Sequence, residues 1–248
     1  MRRTLFITGG SRGIGRAVVL EAAKQGWDVG FTYVANQAQA DEVVAAVRKE
    51  APDSKVRAWA LDVRKSEEVD RVADEVLAHF GSVNAVIPNA GVNLNGLAYA
   101  VTNDDWQTVI DTNLTGSFNV CRAFLTELVA NRKGRIIMLS SVTAEGASGQ
   151  AAYAASKAGL IGLAKTLAKE YGPKNITTNV VIPGYFETDM TKGTMSSDLS
   201  EFAIKYCPMR RLGHLDELAK TICFLISDAA GFINGDELRV TGGLDWAP

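Results

Sequence analysis

Cysteine is scarce and charge is nearly balanced in this 248-residue chain, and each shortage removes a class of function. Three cysteines, Cys121, Cys207 and Cys223, stand far apart and without metal-ligand spacing, so they imply neither a disulfide framework nor a metal site. They point to a reducing compartment and to core packing. A formal net charge of -2 supplies no global basic field, which argues against nucleic acid or an anionic membrane as partner. No apolar run approaches the roughly 20 residues of a membrane span. After Met1-Arg2-Arg3 only Leu5-Phe6-Ile7 precede Gly9-Gly10, too short for the apolar core of a secretory signal. The cytoplasm is the expected location. With no linker or repeat interrupting the pattern, residues 1–248 are expected to form a single domain.

What the chain does have is 47% hydrophobic against 22% charged residues, enough apolar material for a sizeable core. Its patterning alternates. Strands are expected at 5–8, 28–33, 55–61, 83–87, 135–139, 177–182 and 237–240. Between them run helices ending at Gly26 and spanning 37–50, 66–80, 103–131 with an internal Gly116, a long segment stopped by Gly172-Pro173, and 215–227. Strands alternating with helices of crossover length predict an α/β fold: a doubly wound (Rossmann) seven-stranded parallel sheet with helices on both faces. The long interruption, about 188–212, reads as a mobile substrate lid.

Gly9, Gly13 and Gly15 fall in the first strand-to-helix turn, where missing side chains let backbone N–H groups approach a pyrophosphate at the positive end of a helix. In such sheets ligands bind beyond the carboxyl ends of the strands. Asp62-Val63, Asn89-Ala90-Gly91, Ser140-Ser141 and Pro183-Gly184 all follow strands there. Each has a plainer reading as a helix cap, a turn or a strand end; their shared location at one edge is what those readings leave unexplained. Tyr153 and Lys157 lie four apart on the long helix, hence on one face. A cation close to a phenol lowers its pKa, which makes Tyr153 with Lys157 a candidate general acid/base. The second strand ends Phe31-Thr32-Tyr33-Val34-Ala35-Asn36, without the acid that bonds a ribose 2′-hydroxyl, and Arg12 in the glycine loop is placed to meet a 2′-phosphate. NADPH/NADP is therefore the expected cofactor.

Taken together, Thr8-Gly9-Gly10-Ser11-Arg12-Gly13-Ile14-Gly15, Asn89-Ala90-Gly91, Asn113 in Thr112-Asn113-Leu114-Thr115-Gly116, Ser140-Ser141-Val142, Tyr153-x-x-x-Lys157, Pro183-Gly184 and Thr241-Gly242-Gly243 carry a resemblance over essentially the whole chain. It resembles the short-chain dehydrogenase/reductase family. Pro183-Gly184-Tyr185-Phe186-Glu187-Thr188-Asp189-Met190 and Ala158-Gly159-Leu160-Ile161-Gly162 make it most similar to the 3-oxoacyl-(acyl-carrier-protein) and acetoacetyl-CoA reductases.

The resemblance implies a catalytic set of Asn113, Ser141, Tyr153 and Lys157. It implies a cofactor site of Gly9, Ser11, Arg12, Gly13, Ile14, Gly15, Asp62, Val63, Asn89, Ala90, Gly91, Tyr153, Lys157, Pro183, Gly184 and Thr188, and no metal. Tyr153 protonates the oxygen that gains charge, a serine hydroxyl bonds the same oxygen, Lys157 also binds the ribose, and Asn113 holds a water linked to Lys157. Two departures stand out. Pro88 replaces the usual first Asn of Asn-Asn-Ala-Gly. The loop before Tyr153 is one residue short, so that motif position selects Ser141 while counting back from Tyr153 selects Ser140; Ser141 is the preferred reading. The implied activity is NADPH-dependent reduction of a 3-oxoacyl thioester on acyl carrier protein or CoA, in a homotetramer. Arg132 and Lys174 match basic carrier-docking positions and are expected beside the active-site mouth, while a solvated helix end explains them equally well. The alternatives are a dehydrogenase of a small alcohol, sugar or steroid, and a dinucleotide sensor without catalysis.

Overall fold

A computed structural model of the chain describes residues 2–186 and 197–244. The predicted strands are β1 (Thr4–Ile7), β2 (Asp28–Tyr33), β3 (Val56–Ala60), β4 (Ala85–Ile87), β5 (Gly134–Leu139), β6 (Ile176–Pro183) and β7 (Glu237–Val240). They form one sheet in the order β3-β2-β1-β4-β5-β6-β7, with every pairing parallel. The helices are α1 (Gly13–Lys24), α2 (Gln37–Glu50), α3 (Ser66–Phe80), α4 (Asn103–Ile110), α5 (Gly116–Asn131), α6 (Ala151–Tyr171), α7 (Ser197–Tyr206) and α8 (Leu215–Ile226). None of the described helices is long and apolar enough to cross a membrane.

The strand period of two decides how the core divides. Leu5, Ile7, Ile137, Leu139 and Val181 join the layer under α1, α2 and α8, whereas Phe6, Ile136, Met138, Val180 and Ile182 join the layer under α3, α5 and α6. A sheet covered on both faces needs continuous apolar strands, and β5 and β6 are buried at every residue. Phe6 and Phe124 seal the second layer with ring centroids 4.7 Å apart. The three cysteines are free and buried.

The helix expected over 103–131 runs unbroken over that range, but it is not α-helical throughout. Asp111–Thr115 is a π-helical turn in which Gly116 N–H reaches back to the Asp111 carbonyl. Gly116 is required there because a Cβ would stand 2.6 Å from Val63 Cγ2. Pro88 also has a local consequence. It has no N–H to extend the ladder, and β4 pairs with β5 only through Ala85↔Arg135 and Val86↔Ile136. The expected lid falls partly outside the described residues, 188–196 being undescribed; within the rest, Ser197–Tyr206 is helical instead of irregular.

Candidate active site

The chain runs outward from β1 to β3 and then returns to place β4 on the other side of β1, so the turns after β1 and β4 lie side by side. Thr8 joins them. Its hydroxyl accepts from Asn89 N–H and Ala90 N–H, each at 3.0 Å, while Asn89 Nδ2 donates to the Thr8 carbonyl at 2.8 Å and to the Gly9 carbonyl at 3.2 Å. Gly9 and Gly13 take φ of 66° and 54°, in the left-handed region that favours glycine. A Cβ on Gly15 would lie 2.1 Å from the Gly9 carbonyl oxygen. Helix α1 therefore begins hard against the turn, with Arg12 at its N-cap making no side-chain cap bond and no acid in the first turn. Ser11, Gly13, Ile14 and Gly15 thus surround free helix-start N–H groups, a cradle suited to a pyrophosphate. Arg12 is exposed and has no ion-pair partner among the described residues.

Asp62 and Val63 follow β3 as expected. Asp62 does not cap α3; it is gripped by Arg64 through paired bonds of 2.6 Å and 3.0 Å, which hold its carboxyl below the usual range. Val63 is buried, and its carbonyl accepts from Asn119 Nδ2 at 3.2 Å. Pro183 ends β6, and Gly184 N–H donates to the Val240 carbonyl at 2.9 Å, so close to β7 that a Cβ would meet Thr241 Cα at 2.9 Å. Thr188 lies outside the described residues.

The reacting groups gather around the first turns of α6. Ser141 lies beside Tyr153, where its hydroxyl favours the ionised phenol, and accepts from Thr143 N–H at 3.2 Å and Thr143 Oγ1 at 3.0 Å. Ser140 points elsewhere: its hydroxyl donates to the Lys157 carbonyl at 2.9 Å and ties β5 to α6. Lys157 is 6% exposed, donates from Nζ to the Leu139 carbonyl at 2.7 Å and sits 5.5 Å from the Tyr153 ring centroid. Asn113, fully buried in the π turn, accepts from Val92 N–H at 2.8 Å and donates to the Val92 carbonyl at 2.9 Å and to Ser156 Oγ at 3.0 Å. Gly91 leaves room between them, since a Cβ there would stand 3.2 Å from Asn113 Oδ1 and 3.8 Å from Lys157 Nζ.

The electrostatics differ from expectation. The expected lowering of Tyr153 by Lys157 is not what the site does. Burial pushes the Tyr153 phenol up to about 12, opposed only by its hydrogen bond with Ser141, and burial pushes the Lys157 ammonium down to about 8. The lysine is spent on a main-chain carbonyl, and low-dielectric surroundings penalise both charged forms. Burial thus reinforces the protonated phenol that a tyrosine already is at neutral pH.

Arg132 and Lys174 require a second correction. Both are exposed, Arg132 as the left-handed C-cap of α5 and Lys174 in the turn after α6. They directly precede β5 and β6, at the amino edge of the sheet, whereas the glycine turn, Ser141 and Tyr153 occupy the carboxyl edge. Tyr153 and Lys174 are separated by nearly the whole of α6, 21 residues or about 30 Å. Within one chain they do not flank the cleft. Thr8, Val92 and Ser156 were not singled out by sequence reasoning; Thr8 and Ser156 sit inside quoted motifs, yet their role as bonding partners has no one-dimensional signal. No group of His, Cys, Asp and Glu among the described residues could hold a metal.

A family profile described as Enoyl-(Acyl carrier protein) reductase matches residues 9–245. The 3-oxoacyl-(acyl-carrier-protein) reductase FabG of Staphylococcus epidermidis is 38% identical over 98% of this chain and 99% of its own. Its namesake from Chlamydia trachomatis is 36% identical over 98% of each. Among solved structures, levodione reductase superposes with a TM-score of 0.94 at 29% identity, over 98% of this chain and 97% of its own.

Proposed function

Because the chain belongs to the short-chain dehydrogenase/reductase family, whose members use a nicotinamide dinucleotide, we propose that it reduces the ketone of a 3-oxoacyl thioester, carried on acyl carrier protein or CoA, to the 3-hydroxyacyl thioester. The observation that carries this reading is the placement of Ser141 and Lys157 around Tyr153, with Lys157 Nζ 5.5 Å from its ring, beside a glycine cradle, in a chain 38% identical over 98% of its length to a 3-oxoacyl reductase. A bound reduced nicotinamide supplies the hydride. As the ketone oxygen gains charge, Tyr153 gives it a proton and the Ser141 hydroxyl donates a hydrogen bond to the same oxygen. Lys157, anchored to the end of β5 by Leu139, stands behind the phenol, and Asn113 fixes the Val92 segment and the Ser156 turn of α6 around it. Asn89 and Ala90 lie against Gly9 of the glycine turn, and Gly91 faces Asn113 and Lys157.

NADPH is the proposed form of the cofactor. Support comes from the absence of an acid after β2 and from the unpaired Arg12 beside the pyrophosphate cradle. A homotetramer is the proposed assembly, supported by family resemblance and by the exposed aromatic side chains Trp106, Phe118, Phe224 and Phe232. An inert sensor is disfavoured because Asn113, Ser141, Tyr153 and Lys157 are all present together, and a sensor needs only the glycine turn.

Oxidation of NADPH and NADH should be followed with acetoacetyl-CoA, a carrier-bound 3-oxoacyl chain, crotonyl-CoA and a simple ketone. Turnover of the first two well above the others is the expected result. Preference for crotonyl-CoA would mean reduction of a carbon–carbon double bond, and preference for the simple ketone would mean a small-molecule dehydrogenase.

A further inference from the structure

Serine is an unexpected residue at position 156. Helix α6 is built there from the smallest side chains, Ala154, Ala155, Ala158 and Gly159, and alanine at 156 would favour the helix more than serine does. The Ser156 side chain is nevertheless fully buried, where an unpaired hydroxyl is costly. It is paired on both sides. Ser156 Oγ donates to the Tyr153 carbonyl at 2.7 Å and accepts from Asn113 Nδ2 at 3.0 Å. The buried hydroxyls of Ser54 and Ser117 each donate to one main-chain carbonyl, of Ala23 and of Asn113, and receive nothing. Ser156 differs because a side chain of the predicted catalytic set bonds to it.

A side-chain amide has two N–H donors, and Asn113 commits one to the Val92 carbonyl and the other to Ser156, while its oxygen takes the Val92 N–H. Val92 therefore fixes the amide to the segment after β4. Ser156 carries that fixation across to α6: among the described residues no other hydrogen bond joins the π turn to this helix. The two elements meet closely, since a Cβ on Gly159 would stand 2.8 Å from Leu114 Cδ2. The turn of α6 that receives the bond carries Tyr153, Ser156 and Lys157 on one face. Two further bonds anchor this turn, from Ser140 Oγ to the Lys157 carbonyl at 2.9 Å and from Lys157 Nζ to the Leu139 carbonyl at 2.7 Å, and both run to the end of β5. A turn held only from β5 keeps a rotation free. The Asn113–Ser156 bond removes that rotation from a second element.

We propose that Ser156 is a positioning residue for the proton transfer: it passes the fixed orientation of Asn113 to the turn of α6 that presents Tyr153 and Lys157, and so sets the aim of the phenol at the ketone oxygen. The inference rests on Tyr153 as the proton donor of the proposed reduction and holds for whichever ketone the enzyme reduces.

The test is single-turnover oxidation of NADPH by the full-length enzyme with acetoacetyl-CoA, which reads the reacting step without product release. Ser156→Ala should slow that step about tenfold, because a small misplacement of a reacting group is enough, while KM for both substrates moves less than about twofold. Its solvent deuterium isotope effect should rise, the proton now lagging behind the hydride. A serine that only stabilises the fold would do neither. Ser54→Ala is the control for that role: its buried hydroxyl lies before β3, at the amino edge, and its loss should lower the urea midpoint while leaving the single-turnover rate unchanged. In an Asn113→Ala background, Ser156→Ala should cost less than about twofold more, there being no amide left to transmit. Ser156→Cys, similar in size but a weaker donor, should fall between wild type and Ser156→Ala, and it decides the matter if the alanine variant folds poorly. An unchanged rate, a loss confined to KM, an unchanged isotope effect, or full additivity with Asn113→Ala would overturn the proposal. If the wild type reduces ethyl acetoacetate but not the thioester, the same ratios measured on that ketone decide the role of Ser156, and the thioester reading falls alone. If it reduces no ketone, both fall.

Discussion

The two edges of the sheet each bury one basic side chain, and burial lowers the pKa of both, but the partners that offset that burial differ. At the amino edge Arg135 is 5% exposed, donates to the carbonyls of Gly134 at 2.8 Å, Asn175 at 3.4 Å and Ser227 at 3.5 Å, and feels the carboxylate of Asp228. Asp228 is itself held by Lys133 at 2.8 Å and Arg3 at 3.6 Å. At the carboxyl edge Lys157 is just as buried but has one carbonyl and no carboxylate. A guanidinium with several acceptors stays charged at a structural joint. An ammonium with one acceptor is pushed down to about 8 and becomes a group whose charge the site can change. Equal burial thus leaves a cation with several acceptors at one edge and one with a single acceptor at the other.

The sharpest way to break this contrast is at Tyr153. Tyr153→Phe should lower kcat at least 10²-fold while leaving NADPH affinity within about twofold, measured by steady-state kinetics and by cofactor fluorescence titration. A variant that kept most of its turnover would remove the phenol as the proton donor.

The two buried cations can be separated by pH. The folded chain disfavours charged Lys157, so its penalty is fully present below about pH 8 and disappears as pH rises toward the unfolded value near 10.5. The stability of the wild type minus that of Lys157→Met, from urea titrations, should rise by up to about 3 kcal/mol between those limits. The matching difference for Arg135→Met should stay flat, because a guanidinium remains protonated across the window. If the Lys157 difference is also flat, its ammonium is better compensated than one carbonyl allows.

A smaller effect is expected at Arg12, where Arg12→Ala should weaken NADPH about tenfold and NADH hardly at all, read as kcat/KM for each cofactor. Equal loss for both would make Arg12 a structural part of the turn. The smallest effect concerns the amino edge. Arg132→Glu with Lys174→Glu should change KM for acetoacetyl-CoA less than twofold, since both positions lie at the opposite edge from Tyr153. A large change on this small substrate would show that the amino edge of one chain reaches an active site in the assembled enzyme.

Much of this molecule is legible along the chain because its signals are local. The period of two in Leu5-Phe6-Ile7, the glycines after β1 and the i,i+4 spacing of Tyr153 and Lys157 each depend on a few bonds of geometry, so the parallel sheet and its ligand edge follow from order alone. Order also implied where Arg132 and Lys174 must lie, since a residue that opens a strand of a parallel sheet stands opposite its carboxyl edge. Other decisions needed contacts between distant segments. Loop length could not separate Ser140 from Ser141; the structure commits the Ser140 hydroxyl to the Lys157 carbonyl and leaves Ser141 as the serine beside Tyr153. The π turn at Asn113 arises from Gly116 passing Val63, a contact between segments 53 residues apart in number. The direction of the Tyr153 shift was set by how much protein surrounds the phenol. Charge spacing is written in the sequence, but the cost of removing a charge from water is a property of everything packed around it.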